Sequence, residues 1–333
     1  MKDIKRLIPG ALISIALIAA IIYFVDFGTL WNAIRTANYP LLAGSAVLSF
    51  VWMFGRAKVW QTLLRDKPKY IDVLFAASEG YLLNSFLPFR LGEIGRAFLL
   101  SRKSVLTFSE ILPTIIIERV VDLAFSAAIL LAALPFVVGA EGSGQIGYIV
   151  GGIVIFGLAM MYVLARNNQW ALDLFHKLSM RWPSLQKFGG NFLESFFQGL
   201  GVLTDGWLFL RFLFWMTLDW VIALVAYYLI ILAFFPQAKL EWTLFVLGAA
   251  AFGGAIPALP GGVGTFEGAV SAALALFTGD QSTALAAALT MRLYNYLNSG
   301  VFGGIGLMRE GQTLSGVYRQ LVNLGNNEKE EEK

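Results

Sequence analysis

Ten ionisable side chains interrupt the apolar stretches of this sequence. Glu79, Arg90, Glu93 and Arg96 fall in one stretch, Glu118, Arg119 and Asp122 in the next, and Asp219, Glu267 and Arg292 in three others. A charge at membrane depth costs about 3 kcal/mol on insertion scales and is kept where it faces a polar interior. Six acids against four bases implies pairing, since a lone charge in a low dielectric is the costly arrangement. Glu118 and Asp122 lie four residues apart and share one helix face, and Arg119, three residues before Asp122, can join it. The chemistry such a set offers is anion binding, in which an arginine exchanges a protein carboxylate for the anionic group of a ligand. The alternative is an internal ion-pair cluster that only holds helices in register.

Two turns of similar sequence add a second kind of anion site. Leu87-Pro88-Phe89-Arg90-Leu91-Gly92 recurs as Leu259-Pro260-Gly261-Gly262-Val263-Gly264, and each copy precedes a polar helix, carrying Arg119 and Asp122 in one case and Arg292 and Asn295 in the other. A helix broken at membrane depth frees backbone groups that lipid cannot satisfy, and paired breaks in corresponding halves point to a transport site. The half-helices beginning after Gly92 and near Thr265, the expected N-cap of the second, present N–H groups and partial positive charge that attract phosphate or carboxylate. Gly261, Gly262 and Gly264 permit positive φ and close backbone approach. For Asn295 and Asn298 the simpler role is hydrogen bonding between spans.

Other chemistries are excluded or unsupported. There is no cysteine, and His176 is the single histidine, so disulfides, thiolates, His-based triads and His-rich metal sites are out. No metal site is assigned, although carboxylates remain compatible with a hard cation. No P-loop is present, and no catalytic residue or cofactor is expected. Nothing calls for a nucleic-acid partner.

The elements that must position these groups follow from composition. Hydrophobic residues make up 57% of 333, charged residues 14%, and the mean hydropathy is +0.68; a soluble domain carries about 25% charge. The chain reads as an all-α polytopic membrane protein. Six runs are long enough to span, roughly 7–25, 40–57, 111–138, 146–165, 208–235 and 281–308. Two interrupted regions, roughly 70–100 and 242–278, read as re-entrant helical hairpins. Lys2, Lys5 and Arg6 place the N-terminus in the cytoplasm, the 26–39 loop lies outside, and Arg56, Lys58, Arg65, Lys67 and Lys69 mark a cytoplasmic 56–69 loop. Alternation then gives residues 1–138 as a first repeat and 139–310 as a second, inverted one, with a cytoplasmic tail over 311–333. Residues 167–206 form an amphipathic connector, lying on the cytoplasmic leaflet or packed as a linker. Trp31, Trp52, Trp60 and Trp207 read as membrane-interface anchors.

Three patches, Asn84 to Arg96, Glu118 to Asp122 and Pro260 to Glu267, carry a resemblance that spans roughly 5–310. There the chain resembles the flippase-like family defined by the transmembrane region of lysylphosphatidylglycerol synthases. Characterised members join this region to a cytoplasmic aminoacyltransferase domain and move aminoacylated phosphatidylglycerol between leaflets. The present sequence ends shortly after the last expected span, so the resemblance implies the translocating part standing alone. Its cargo would be an anionic phospholipid or a lipid-linked sugar. The substrate-binding set is then Asn84, Arg90, Glu93, Arg96, Glu118, Arg119, Asp122, Gly261, Gly262, Gly264, Glu267, Arg292 and Asn295. The expectation is a translocase of the cell membrane, not an enzyme, with both termini cytoplasmic. A lipid-modifying enzyme and a second copy of the chain remain open as partners. The alternatives are an integral-membrane phosphatase or transferase acting on a polyprenyl phosphate, and a non-transporting partner of a lipid-modifying enzyme.

Overall fold

The computed structural model describes residues 26–87, 90–137, 204–256 and 260–314, with isolated positions at 152, 156, 163, 166, 167, 316, 317, 319 and 320. The expected spans over 7–25 and 146–165, most of the 167–206 connector, most of the 311–333 tail, Pro88 and Phe89 lie outside the described residues. What is described is helical, with no strand. The elements are α1 (Phe27–Thr36), α2 (Tyr39–Leu63), α3 (Tyr70–Phe86), α4 (Leu91–Ser101), α5 (Phe108–Ala133), α6 (Gly206–Phe234), α7 (Leu240–Ala255), a 3-10 turn (Pro260–Gly262), α8 (Thr265–Thr278) and α9 (Gln281–Arg309). Three of them, α2, α5 (continuing to Val137) and α6, are long and apolar enough to cross a membrane. The helix α9 matches α6 at 29 residues but carries Arg292, Asn295 and Asn298 along its length.

Helix starts follow local chemistry. Asp26, Asn38, Asp205 and Asp280 each accept a backbone N–H of the following helix, and Thr107 with Glu110 forms a capping box at α5. Two expectations change here. The 26–39 stretch is not simply a loop, because Asp26 nucleates α1 by accepting from Gly28 N and Thr29 Oγ1. The expected cytoplasmic loop over 56–69 is shorter, because α2 runs on to Leu63 and takes Arg56 and Lys58 into the helix. Arg56 can sit inside a span because three carboxylates from α5 and α6 surround it.

Each interrupted region is a pair of helices folded back on one another. At 1.5 Å per residue α3 and α7 are about 25 Å long and α4 and α8 about 16 and 21 Å, so each arm exceeds half of a bilayer core, about 30 Å thick. Within each pair a glycine lets the arms touch. A Cβ on Gly80 would lie 2.9 Å from Gly92 O and 2.7 Å from Arg96 Cβ, and one on Gly253 would lie 2.8 Å from Thr265 O and 2.5 Å from Ala269 Cβ. Each pair also packs on a long helix: α3 meets α9 antiparallel, with Phe75 under Arg309 and Ser78 O 2.8 Å from a Cβ built on Gly303. The helix α7 meets α5 at Gly248, where a Cβ would lie 2.9 Å from Leu130 Cβ. Helices α2 and α6 pair antiparallel along their length, from Ser45 Oγ donating to Ala226 O at 2.8 Å to Gly55 against Asp219.

The α2–α3 turn closes on Asp66, which accepts from Lys58 Nζ at 3.1 Å and from Arg211 Nη2 at 2.6 Å. Partial burial pushes the Asp66 carboxyl up, but the hydrogen bonds from Arg211 and Lys58 outweigh it and hold the group below its ordinary value. A carboxyl with a lowered native pKa contributes stability that is present above its unfolded pKa and is lost as pH falls through the native one. Asp66→Asn should therefore lower the thermal midpoint at neutral pH and converge with wild type in strong acid. A constant offset at every pH would reject the electrostatic origin.

Candidate functional site

Four helices deliver charge to one place, and α3 adds the Tyr81 hydroxyl. Arg56 of α2 is 3% exposed and lies at the centre. Its Nη2 is 2.6 Å from Glu118 Oε1, its Nη1 donates to Asp122 Oδ1 at 2.9 Å and to Asp219 Oδ2 at 3.4 Å, and its Nε donates to Tyr81 OH at 3.0 Å. A further ion pair joins it to Asp122 Oδ2. Arg96 of α4 pairs with Glu93 at 2.7 Å and Glu118 at 3.3 Å, and lies over the Trp60 ring at 4.6 Å. Arg119 contacts Glu118 at 2.5 Å, Asp122 at 3.4 Å and Glu93 at 3.8 Å, and donates to Tyr81 OH at 3.2 Å. The cluster thus holds the guanidiniums of Arg56, Arg96 and Arg119 against the carboxylates of Glu93, Glu118, Asp122 and Asp219.

Exposure divides the cluster into a floor and a face. Arg56, Arg96, Glu118 and Asp219 have side chains at most 3% exposed, whereas Arg119 reaches 26% and Glu93 and Asp122 each reach 15%. Arg119 therefore has the least buried side chain of the three arginines. Arg90, exposed and in the left-handed region at φ 55°, stands at the start of α4 and donates to Gly254 O of α7 at 2.5 Å. That bond ties the tip of one helix pair to the end of the other. A Cβ built on Gly261 would also lie 3.4 Å from Ser85 O, so the two breaks face one another.

The second cluster is smaller and more closed. Arg292 of α9 pairs with Glu267 through Nε at 2.6 Å, donates to Gly262 O at 2.9 Å and also to Gly261 O. Its guanidinium lies over Phe266 at 4.4 Å. Gly261, Gly262 and Gly264 have φ of 72°, 64° and 86°, a region glycine enters without steric cost, and this turns both carbonyls toward Arg292. In this arrangement Arg292 clamps the turn.

The backbone N–H groups at the breaks are also engaged. Gly92 N donates to Asn84 Oδ1 at 2.8 Å, and Gly264 N donates to Glu267 Oε2 at 2.8 Å. Gly264, not Thr265, is the N-cap of α8, because only glycine tolerates φ 86° there; Thr265 Oγ1 instead donates to Gly262 O. Asn295 is exposed and shares a hydrogen bond with Tyr227. Asn298 is buried and joins spans, donating to Ser49 O at 2.6 Å. Glu79 stands apart, fully buried against Gly306, with Lys103 at 3.8 Å, and Lys103 also pairs with Glu310.

Arg56 and Asp219 are the members that the sequence did not assign to the site, and Trp60 is misread as an interface anchor: it is buried, and its indole N–H donates to Thr114 at 3.0 Å. A usable signal exists in α2, where Ser45, Ser49 and Arg56 recur near helical spacing on an otherwise apolar span. Among the described residues no group of three or more histidine and carboxylate side chains is disposed to hold a metal ion.

The chain is 27% identical over 224 residues, 67% of its length and 92% of the relative's, to the UPF0104 membrane protein MJ1078 of Methanocaldococcus jannaschii. No solved structure matches it. Residues 10–303 match the model of the lysylphosphatidylglycerol synthase transmembrane region, an extent that includes both helix breaks and both charged clusters, and the chain is a membrane protein belonging to that family.

Proposed function

We propose that this protein is a lipid translocase that carries an anionic phospholipid or polyprenyl-linked headgroup across the bilayer between the two facing helix breaks. The observation that carries the proposal is the partly exposed side chain of Arg119, held by Glu93, Glu118 and Asp122, with Arg90 tying the two tips together. A phosphate entering there replaces carboxylate partners of Arg119 with its own oxygens, an exchange of like contacts. The buried floor of Arg56, Arg96, Glu118 and Asp219 keeps the face in place. Arg292 and Glu267 fix the second tip. The acyl chains stay in lipid while the headgroup passes.

An inverted repeat of three spans and a re-entrant hairpin in each half is part of this proposal. Two regularities support it. Gly80 meets Gly92 and Gly253 meets Thr265, both 12 positions on. One shift of 173 positions takes Gly80 to Gly253 and Arg119 to Arg292, a single residue from the shift of 172 that superposes Leu87 and Leu259. Because α2 and α6 run antiparallel, the turns that follow them lie on opposite sides, and the two helix pairs dip from opposite leaflets. Both termini are then cytoplasmic, in the cell membrane. The protein acts as a transporter without catalytic chemistry, and a lipid-modifying enzyme would use its product.

Vesicles reconstituted with the full chain and carrying fluorescent phosphatidylglycerol in one leaflet test the proposal. Transbilayer movement should exceed that of empty vesicles. Arg119→Ala should lower the rate by about tenfold or more, the loss expected for a charge-assisted contact, while the protein stays monodisperse. Wild-type rates equal to empty vesicles for both phosphatidylglycerol and a polyprenyl phosphate would overturn it.

A further inference from the structure

A groove of about 450 Å³ runs down the outer face of the α2–α6 pair. Phe54, Gly55 and Lys58 of α2, Tyr70 of α3, and Trp215 and Leu218 of α6 line it. We infer that this groove is a binding site for an anionic glycerophospholipid, with one acyl chain along Phe54 and Leu218 and the phosphate on Lys58. The site is separate from the tips of the helix pairs and stands whether or not lipid is translocated there.

Three features point to that occupant. The groove opens outward on two helices that are each long and apolar enough to cross a membrane, so the bilayer supplies whatever fills it. Its floor is Gly55, where a Cβ would lie 3.0 Å from Asp219 Oδ1. A side chain there would press on Asp219 in the buried cluster behind it, and the glycine leaves the helix surface recessed. Its polarity is graded. Phe54 and Leu218 are exposed apolar side chains, whereas Lys58 is the one charged lining group, at the end where Arg211 pairs with Asp66 and the turn after α2 carries Arg65, Lys67 and Lys69.

Lys58 suits a phosphate in detail. Its ammonium has three donors, and the structure occupies two, on Gln61 Oε1 at 2.7 Å and Asp66 Oδ1 at 3.1 Å. Tyr70 is held in the wall by its hydroxyl, which donates to Phe54 O at 2.8 Å. Trp215 and Tyr70 at the basic end have the amphipathic character that favours the headgroup level. An uncharged amphiphile would leave the third Lys58 donor without a partner.

Trp215 reports occupancy directly. The full chain is reconstituted in phosphatidylcholine vesicles containing rising fractions of dibrominated-acyl phosphatidylglycerol, or of dibrominated-acyl phosphatidylcholine. The quenching belonging to Trp215 is isolated by subtracting the Trp215→Phe variant. Half-quenching should need about fivefold less phosphatidylglycerol than phosphatidylcholine, the preference expected for one lysine near an anionic headgroup. Lys58→Gln should abolish that preference and Lys58→Arg should keep it. Arg119→Ala should also keep it while transport is lost, which separates this site from the proposed translocation path. Equal quenching by the two lipids, or a preference that survives Lys58→Gln in a folded protein, overturns the inference.

Discussion

Arg56→Met should destabilise the folded protein by about 3 to 5 kcal/mol, the cost of removing one partner from a buried ion-pair network. The substitution preserves much of the side-chain length but leaves Glu118, Asp122 and Asp219 facing one another with Arg56 gone, and Tyr81 loses a donor. Arg96 and Arg119 still reach Glu118, whereas among the described residues the one ion pair of Asp219 is with Arg56. Adding Asp219→Asn to Arg56→Met should therefore recover part of the loss, while Asp219→Asn alone should cost little. Thermal unfolding in detergent, followed by tryptophan fluorescence, gives the four corners of this cycle. If the double variant is no more stable than Arg56→Met, Asp219 is not held by Arg56 and the centre of the cluster is misassigned.

Gly92→Ala should break the first helix pair, and Gly253→Val the second. A methyl group on Gly92 would lie 2.6 Å from Asn84 Oδ1 and 2.7 Å from Asn84 N, and would overlap the Gly80 carbonyl. These are largely backbone neighbours on the opposing arm, which cannot rotate away as a side chain can. Overpacking costs about 1 to 3 kcal/mol where neighbours can shift, and the upper end applies here. The same change displaces Asn84 from the N–H of Gly92, so Glu93 and Arg96 move with the arm and transport should fall together with stability. Gly300→Ala and Gly304→Ala are the controls, because nothing lies within 4 Å of a Cβ at either position. Alanine favours helix over glycine by about 0.5 to 1 kcal/mol, so both should be neutral or mildly stabilising. A Gly92→Ala protein as stable as Gly300→Ala would refute the close contact of the arms.

Much of this architecture was readable from local chemistry. Pro and Gly in apolar surroundings marked both breaks, and the four-residue spacing of Glu118 and Asp122 put them on one face with Arg119. The boundary of α2 was misread because Arg56 begins a run of basic residues that also includes Lys58, Arg65, Lys67 and Lys69. A basic run is the usual sign of a chain leaving the membrane. The rule assumes each cation seeks water or lipid phosphate, and Arg56 instead finds carboxylates supplied by α5 and α6. The sequence offers Arg292 as a phosphate ligand, but nothing in its own helix announces that Gly261 and Gly262 turn their carbonyls onto it.

What the sequence determined unaided is a helical membrane chain, the two places where its apolar regions break, and most of the charges that lie among apolar residues. Those properties depend on side-chain hydrophobicity and on backbone freedom within a few residues. Only the tertiary structure decided which carboxylate each guanidinium takes and which arginine of the cluster is left least buried. Arg56 and Asp219 are 163 positions apart, and the few ångströms over which their charges pair are set by how helices pack, not by their order along the chain.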